Sequence, residues 1–332
     1  MENSRTGIRS VIAALIAFLA LSFALAPSAS AADYTPQQRK EYFDSGKYSN
    51  DLATVAQAAR NWIIRRTQPT LGKVRACRKA GYRIGKKDPG KNPNADYRVP
   101  VNVPKNQQPD RIVSAPDPGP DGQPTTLRPN NTVLKPAKKV KKITRSACAK
   151  MRRLAIAMDM DETAMSSFRY GSPQPNYDTY SMYRNEILGS QTALKPMLNL
   201  YKLAQKRGMA TFVITARYEP LSADPLVGTI LGNADLCDPG FSWAGACGLD
   251  VNNFNFTKVT RANLKNEGYT GLTDLYMRPP DSPSKGEVKN SERAEISLRR
   301  GYRIIAMFGD QSSDLEKGFY ERGFKYQSPV GD

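Results

Sequence analysis

Three apolar runs dominate the second half of the chain: Leu154–Met158, Met209–Ile214 and Arg303–Phe308. They are nearly unbroken rather than alternating, which is the pattern of strands buried on both faces. Between them, apolar residues recur at spacings of three and four. Pro196–Arg207 predicts a helix, with proline in the first turn, Met197, Leu200, Tyr201, Leu203 and Ala204 on one face, and Gly208 just past its end. Thr260–Glu267, Ser291–Arg300 and Asp314–Arg322 predict further helices, and Leu275–Met277 a short strand. Strands alternating with helices predict an α/β fold: a doubly wound, mostly parallel, Rossmann-like sheet covered on both faces. Such sheets bind ligands beyond the carboxyl ends of their strands.

The first half is organised differently. Val11–Ala26 is an apolar run behind Arg5 and Arg9, and Ala29-Ser30-Ala31 follows it. This is the pattern of a cleaved signal peptide over residues 1–31, which predicts export and no membrane span after cleavage. Residues 32–66 read as an amino-terminal helix. Tyr48, Leu52, Val55, Ala56, Ala59, Trp62 and Ile63 share one face, so it should pack on the core. Residues 67–150 lose apolar periodicity and gain prolines and basic residues, including Lys138, Lys139, Lys141, Lys142 and Arg145. They predict a partly disordered basic insertion that could hold an anionic surface or polyanion. The core domain is expected over 151–332, with an inserted segment at 219–257.

Composition narrows the chemistry. The 332 residues carry 49 Lys and Arg against 31 Asp and Glu, and there is no histidine. Ser-His-Asp hydrolysis, histidine nucleophiles and most zinc hydrolases are thereby excluded. Carboxylates, hydroxyls, amines and a hard metal ion remain. Four cysteines, Cys77, Cys148, Cys237 and Cys247, allow three disulfide pairings. The short Cys237/Cys247 loop is the first expectation, which leaves Cys77 for Cys148.

Acids and hydroxyls lie where the strands end. Asp159-Met160-Asp161 follows the first run, Thr215-Ala216-Arg217 the second, and Gly309-Asp310-Gln311-Ser312-Ser313-Asp314 the third. Lys289 lies near a helix start after the short strand. Singly, each has a bland reading as solvated loop, cap or surface lysine. The ordered set is more specific.

The set resembles the haloacid-dehalogenase-like (HAD) phosphohydrolases, and within them the secreted acid phosphatases that include bacterial classes B and C and the plant vegetative storage proteins. The likeness rests on Ala157–Thr163, Val213–Arg217, Thr260–Leu264, Tyr276–Pro279, Lys289–Arg293 and Gly309–Leu315, and on the tail Gly323–Pro329. It implies a secreted phosphomonoesterase acting through an aspartyl-phosphate on a small phosphomonoester. Asp159 would be the nucleophile and Asp161 the general acid and base. Thr215 and Lys289 would bind phosphate. Mg²⁺ would be held by Asp159, Asp161 through its backbone carbonyl, Asp310 and Asp314. An acidic pH optimum follows from the need for a protonated Asp161. Phe168, Tyr170, Tyr177, Tyr180 and Tyr183 form either an aromatic lid or ordinary packing. The alternative is a non-catalytic polyanion- or cell-surface-binding protein on the same fold.

Overall fold

Along the strand β2, Arg153–Met158, side chains alternate between two cores. Ile156 and Met158 join one apolar cluster, and Ala155 and Ala157 join the other. A strand can be apolar throughout only if both its faces are covered, as the unbroken run predicted. The computed structural model describes residues 35–97, 101–114, 136–168, 179–224, 250 and 253–328. The expected signal segment, Cys237, Cys247, Tyr170, Tyr177 and most of the inserted segment lie outside the described residues.

The sheet has six strands, all paired in parallel. Besides β2 they are β1 (Arg111–Ser114), β5 (Ala210–Tyr218), β6 (Asp274–Arg278), β7 (Tyr302–Gly309) and β8 (Arg322–Lys325), in the order β1-β8-β7-β2-β5-β6. A separate two-stranded ribbon pairs β3 (Met165–Ser166) with β4 (Thr192–Ala193). The helix α5, Thr179–Ile187, lies between them in sequence. One face of the sheet carries α1 (Pro36–Asp44), α2 (Lys47–Thr67), α6 (Lys195–Lys206) and α7 (Phe256–Asn266), whose apolar residues share one core. The other carries α8 (Lys285–Ala294), through Val288.

The β2–β7 pairing contains a bulge. Ala155 faces Ile304 and Ile156 faces Ala306, so Ile305 is the extra residue. Without it every later side chain of β7 would change face. A bulge strands a backbone carbonyl, and here the Trp62 indole N–H donates to the Ile305 carbonyl at 2.7 Å. The amino-terminal helix therefore packs on the core and completes its hydrogen bonding.

Several expected elements differ. The helix expected over 32–66 is two helices, α1 and α2. The break is at Ser45-Gly46, where Gly46 has φ +75, a conformation glycine alone adopts cheaply. The helix expected from Ser291 starts earlier, at Lys285, where the Ser284 side chain accepts from the Glu287 N–H. Its last turn, Glu295–Arg299, is a π-turn. The helix expected over Asp314–Arg322 is one turn, α9 (Ser312–Leu315), followed by β8. Lys317 and Phe319 have φ of +64 and +67, which ends any helix there. The basic stretch supplies α3 (Leu71–Lys79) and the edge strand β1, neither foreseen from its composition. A disulfide joins Cys77 of α3 to Cys148 of α4 (Arg145–Ala149).

Candidate active site

Asp159 directly follows β2, and its N–H donates to the Phe308 carbonyl of β7 at 2.9 Å. Asp310 follows β7, and Thr215 lies in β5. The neighbouring strands β7, β2 and β5 thus bring three distant motifs to one edge of the sheet.

Asp159, Asp310 and Asp314 are buried, and one carboxylate oxygen from each lies within 4.8 Å of the others. Lys289, on the second turn of α8, donates to Asp159 at 2.9 Å and also to Asp314. Thr163 donates to Asp310 at 3.1 Å. Burial pushes the Asp159 carboxyl well up, and the negative charge of Asp314 adds to it against the pull of Lys289. Burial and Asp314 likewise bring Asp310 up to about 8. Lys289 moves upward too: burial acts against its charge, but Asp159 and Asp314 outweigh it. Fully ionised, three converging carboxylates with one ammonium carry surplus negative charge, and burial together with this charge holds the Asp159 and Asp310 carboxyls up. Their all-oxygen donor set fits a hard divalent cation.

Asp161 points elsewhere. Its carboxylate accepts Arg217 Nε at 3.0 Å, a second Arg217 N–H, and the Gln191 amide at 2.8 Å. Burial would raise its carboxyl, but the Arg217 charge and these donors hold it below its ordinary value. Arg217 is itself buried, 3.7 Å from Glu186 of α5, with the Phe256 ring 5.3 Å from its guanidinium carbon. Thr215 turns toward the same group, its hydroxyl 3.5 Å from Asp161. One cluster thus gathers Asp159, Asp310, Asp314 and Lys289, and a neighbouring one gathers Asp161, Thr215 and Arg217. A cavity of about 310 Å³ is lined by members of both, including Asp159, Asp161, Arg217, Lys289 and Asp310.

Sequence reasoning gave no role to several residues that shape this edge. Glu162 has φ +48 and is buried; its carboxylate accepts from Tyr48 at 3.2 Å, Ser166 at 3.2 Å and the Ser167 N–H at 2.6 Å. It ties α2 to the loop that carries Asp159 and Asp161, and burial brings its carboxyl up to about 8. Arg293, also buried, donates to the carbonyls of Asp314, Glu316 and Gly318, fixing the loop that presents Asp314. It stands four residues after Lys289, so one helix face serves both. That spacing was the signal available in the sequence. Of the aromatic residues that could form either a lid or ordinary packing, Phe168 is fully buried against Phe43, at 5.5 Å, and is a core residue. Tyr183 lines the cavity with Tyr218 and Phe256.

A doubly wound parallel sheet with an acidic centre at its carboxyl edge defines a broad class of α/β proteins. Within it, residues 131–226 and 255–330 match the family described as HAD superfamily, subfamily IIIB (Acid phosphatase), and the chain belongs to that family. Relatives include the stem 28 kDa glycoprotein of Glycine max, 38% identical over 76 residues, 22% of this chain and 30% of that protein. Acid phosphatase 1 of Solanum lycopersicum is 26% identical over 178 residues, 52% of this chain and 56% of that protein. The matches therefore span from under a third to a little over half the length of these relatives.

Proposed function

We propose that this protein is an exported phosphomonoesterase with Asp159 as its nucleophile. The observation that carries the reading is the convergence of Asp159, Asp310 and Asp314 on one point with Lys289 beside them, next to an Asp161 held separately. Family membership supports the same reading. Among the described residues no helix is long and apolar enough to cross a membrane. The Cys77–Cys148 disulfide fits an oxidising compartment.

Attack by Asp159 on phosphorus forms an aspartyl-phosphate as the ester P–O bond breaks. Asp161, once protonated and released from the Arg217 contacts that hold its carboxyl below its ordinary value, gives its proton to the departing alkoxide and becomes a carboxylate. It then takes a proton from the water that hydrolyses the intermediate, which returns both acids to their starting states. Lys289 and Thr215 take the phosphoryl oxygens, and Lys289 offsets charge at Asp159 throughout. Asp159, Asp310, Asp314 and the Asp161 carbonyl are the groups assigned to Mg²⁺. Bound there, the ion supplies positive charge that lets an anionic ester approach a carboxylate.

Phosphate release from p-nitrophenyl phosphate, with Mg²⁺ and with EDTA, tests the reading. Asp159→Asn and Asp161→Asn are expected to lose activity by several orders of magnitude, and EDTA to abolish it in the parent. Undiminished hydrolysis by Asp159→Asn would remove the nucleophile assignment.

A further inference from the structure

We infer that the opposite end of the sheet is a docking cleft for a linear chain of phosphate groups. The cleft has a volume of about 980 Å³, three times that of the catalytic cavity. Its floor is formed by the starts of β2 and β7, at Arg153 and Tyr302. The six residues of β2, at about 3.3 Å each, set it roughly 20 Å from Asp159. It is thus separate from the proposed phosphatase chemistry and does not depend on it.

Its walls include residues 85–87, 149–153 and 297–304, three segments distant in sequence, together with Trp62, Asn106, Gln107, Gln108, Asp110 and Phe319–Glu321. The first two are tied by the Cys77–Cys148 disulfide and by the Gly85 N–H donating to the Cys148 carbonyl at 3.0 Å. The lining carries basic residues from all three. Lys86, Lys87, Lys150 and Arg152 are exposed, and none pairs with an acid among the described residues. The cleft's two acids are already neutralised. Asp110 is paired with Arg322, and Glu321 with Arg66 and Arg303. A second groove of about 480 Å³ continues past Arg152, Arg153 and Tyr302 and adds Arg78 and Arg207. The basic track is therefore longer than one phosphate needs.

The aromatic residues of the cleft decide what kind of polyanion fits. The Trp62 ring has the Arg322 guanidinium at 3.8 Å and that of Arg66 at 5.8 Å. The Tyr302 ring has Arg153 at 4.0 Å and Arg300 at 5.9 Å. With an arginine already seated on each ring, the cleft offers a base at most one free face per ring, and a concave site does not meet a flat bilayer. The lining of eight basic residues favours charge-based recognition of repeated phosphates, and the assigned occupant is a polyphosphate chain without bases.

The test is binding of fluorescent inorganic polyphosphate to the purified protein over a series of salt concentrations. The variant K86E/K87E/K150E/R152E should bind about tenfold more weakly or worse, with a flatter dependence on salt. Its circular dichroism spectrum and melting temperature should match those of the parent, which shows that it is folded. The variant K138E/K139E/K141E/K142E, altered in the basic run outside the cleft, should bind like the parent. Unchanged binding by the first variant, or loss confined to the second, overturns the cleft. Tighter binding of single-stranded oligodeoxythymidylate than of polyphosphate overturns the assignment of its occupant.

Discussion

Lys289 Nζ stands 2.9 Å from Asp159 Oδ1 and also donates to Asp314, so a single ammonium is shared by two buried carboxylates. Removing one partner from such a cluster leaves uncompensated buried charge. Lys289→Met is therefore expected to cost the protein in EDTA about 3 kcal/mol of stability. Added Mg²⁺ should recover part of it. Thermal denaturation with EDTA and with Mg²⁺ checks this, and equal midpoints for parent and variant in EDTA would contradict it.

Gly309 precedes Asp310, and a Cβ there would overlap the Asp314 side chain. Gly309→Ala should therefore displace a proposed ligand while β7 stays paired. A fall in Mg²⁺ affinity of about 10–100-fold is expected, and the overlap with buried Asp314 should also cost about 1–3 kcal/mol of stability. The Mg²⁺ concentration for half-maximal hydrolysis reads it out. An unaltered Mg²⁺ requirement would show that Asp314 is not needed.

Asp88 ties the basic stretch to the core through Arg300 and Tyr302, at 2.9 and 2.8 Å. Burial would raise its carboxyl, but the Arg300 donors, the Gly90 N–H and Tyr302 outweigh it and bring it down from 3.8 to about 2. The folded value lies below the unfolded one. The stabilisation is thus complete above about pH 4 and lost as pH falls through about 2. Asp88 is only partly buried, so solvent screening reduces this to about 1 kcal/mol at neutral pH. In urea denaturation Asp88→Asn should lie that far below the parent at pH 7, with the gap closing toward pH 2. A gap that does not change with pH would point to packing instead.

The Cys77–Cys148 bridge closes a sequence separation of 71 residues. Replacing both cysteines by serine should cost about 4 kcal/mol, chiefly by freeing the unfolded chain. Hydrolysis measured well below the melting point should persist, because the bridge sits at the far end of β2 from Asp159. Coincident urea transitions for the parent and the double variant would mean that the bridge adds nothing.

The strands were legible because burial on both faces leaves an unbroken apolar run, and Asp159, Asp161 and Asp310 were legible because they interrupt or follow such runs. β1 and β8 gave no such signal. Each has four residues, and β1 is an edge strand exposed at three of its four positions, so nothing in its composition demanded a strand. The engagement of Asp161 by Arg217 was also hidden. The two stand far apart in sequence, and β2–β5 pairing brings them together. Trp62 was read as one more apolar residue of a helix face. Its use is to satisfy the bulge at Ile305, a register irregularity that no local pattern encodes.

The sequence by itself determined the alternating α/β order, the two-sided burial of the central strands and the residue types at their ends. These follow from short-range periodicity and from the absence of histidine. Only the tertiary structure decided which acids share a point and which is held by an arginine. It also decided that eight basic residues from separate segments line one cleft at the other end of the sheet. The reason is physical: local patterns set how each segment folds, whereas charge proximity depends on strand order, bulge and bridge.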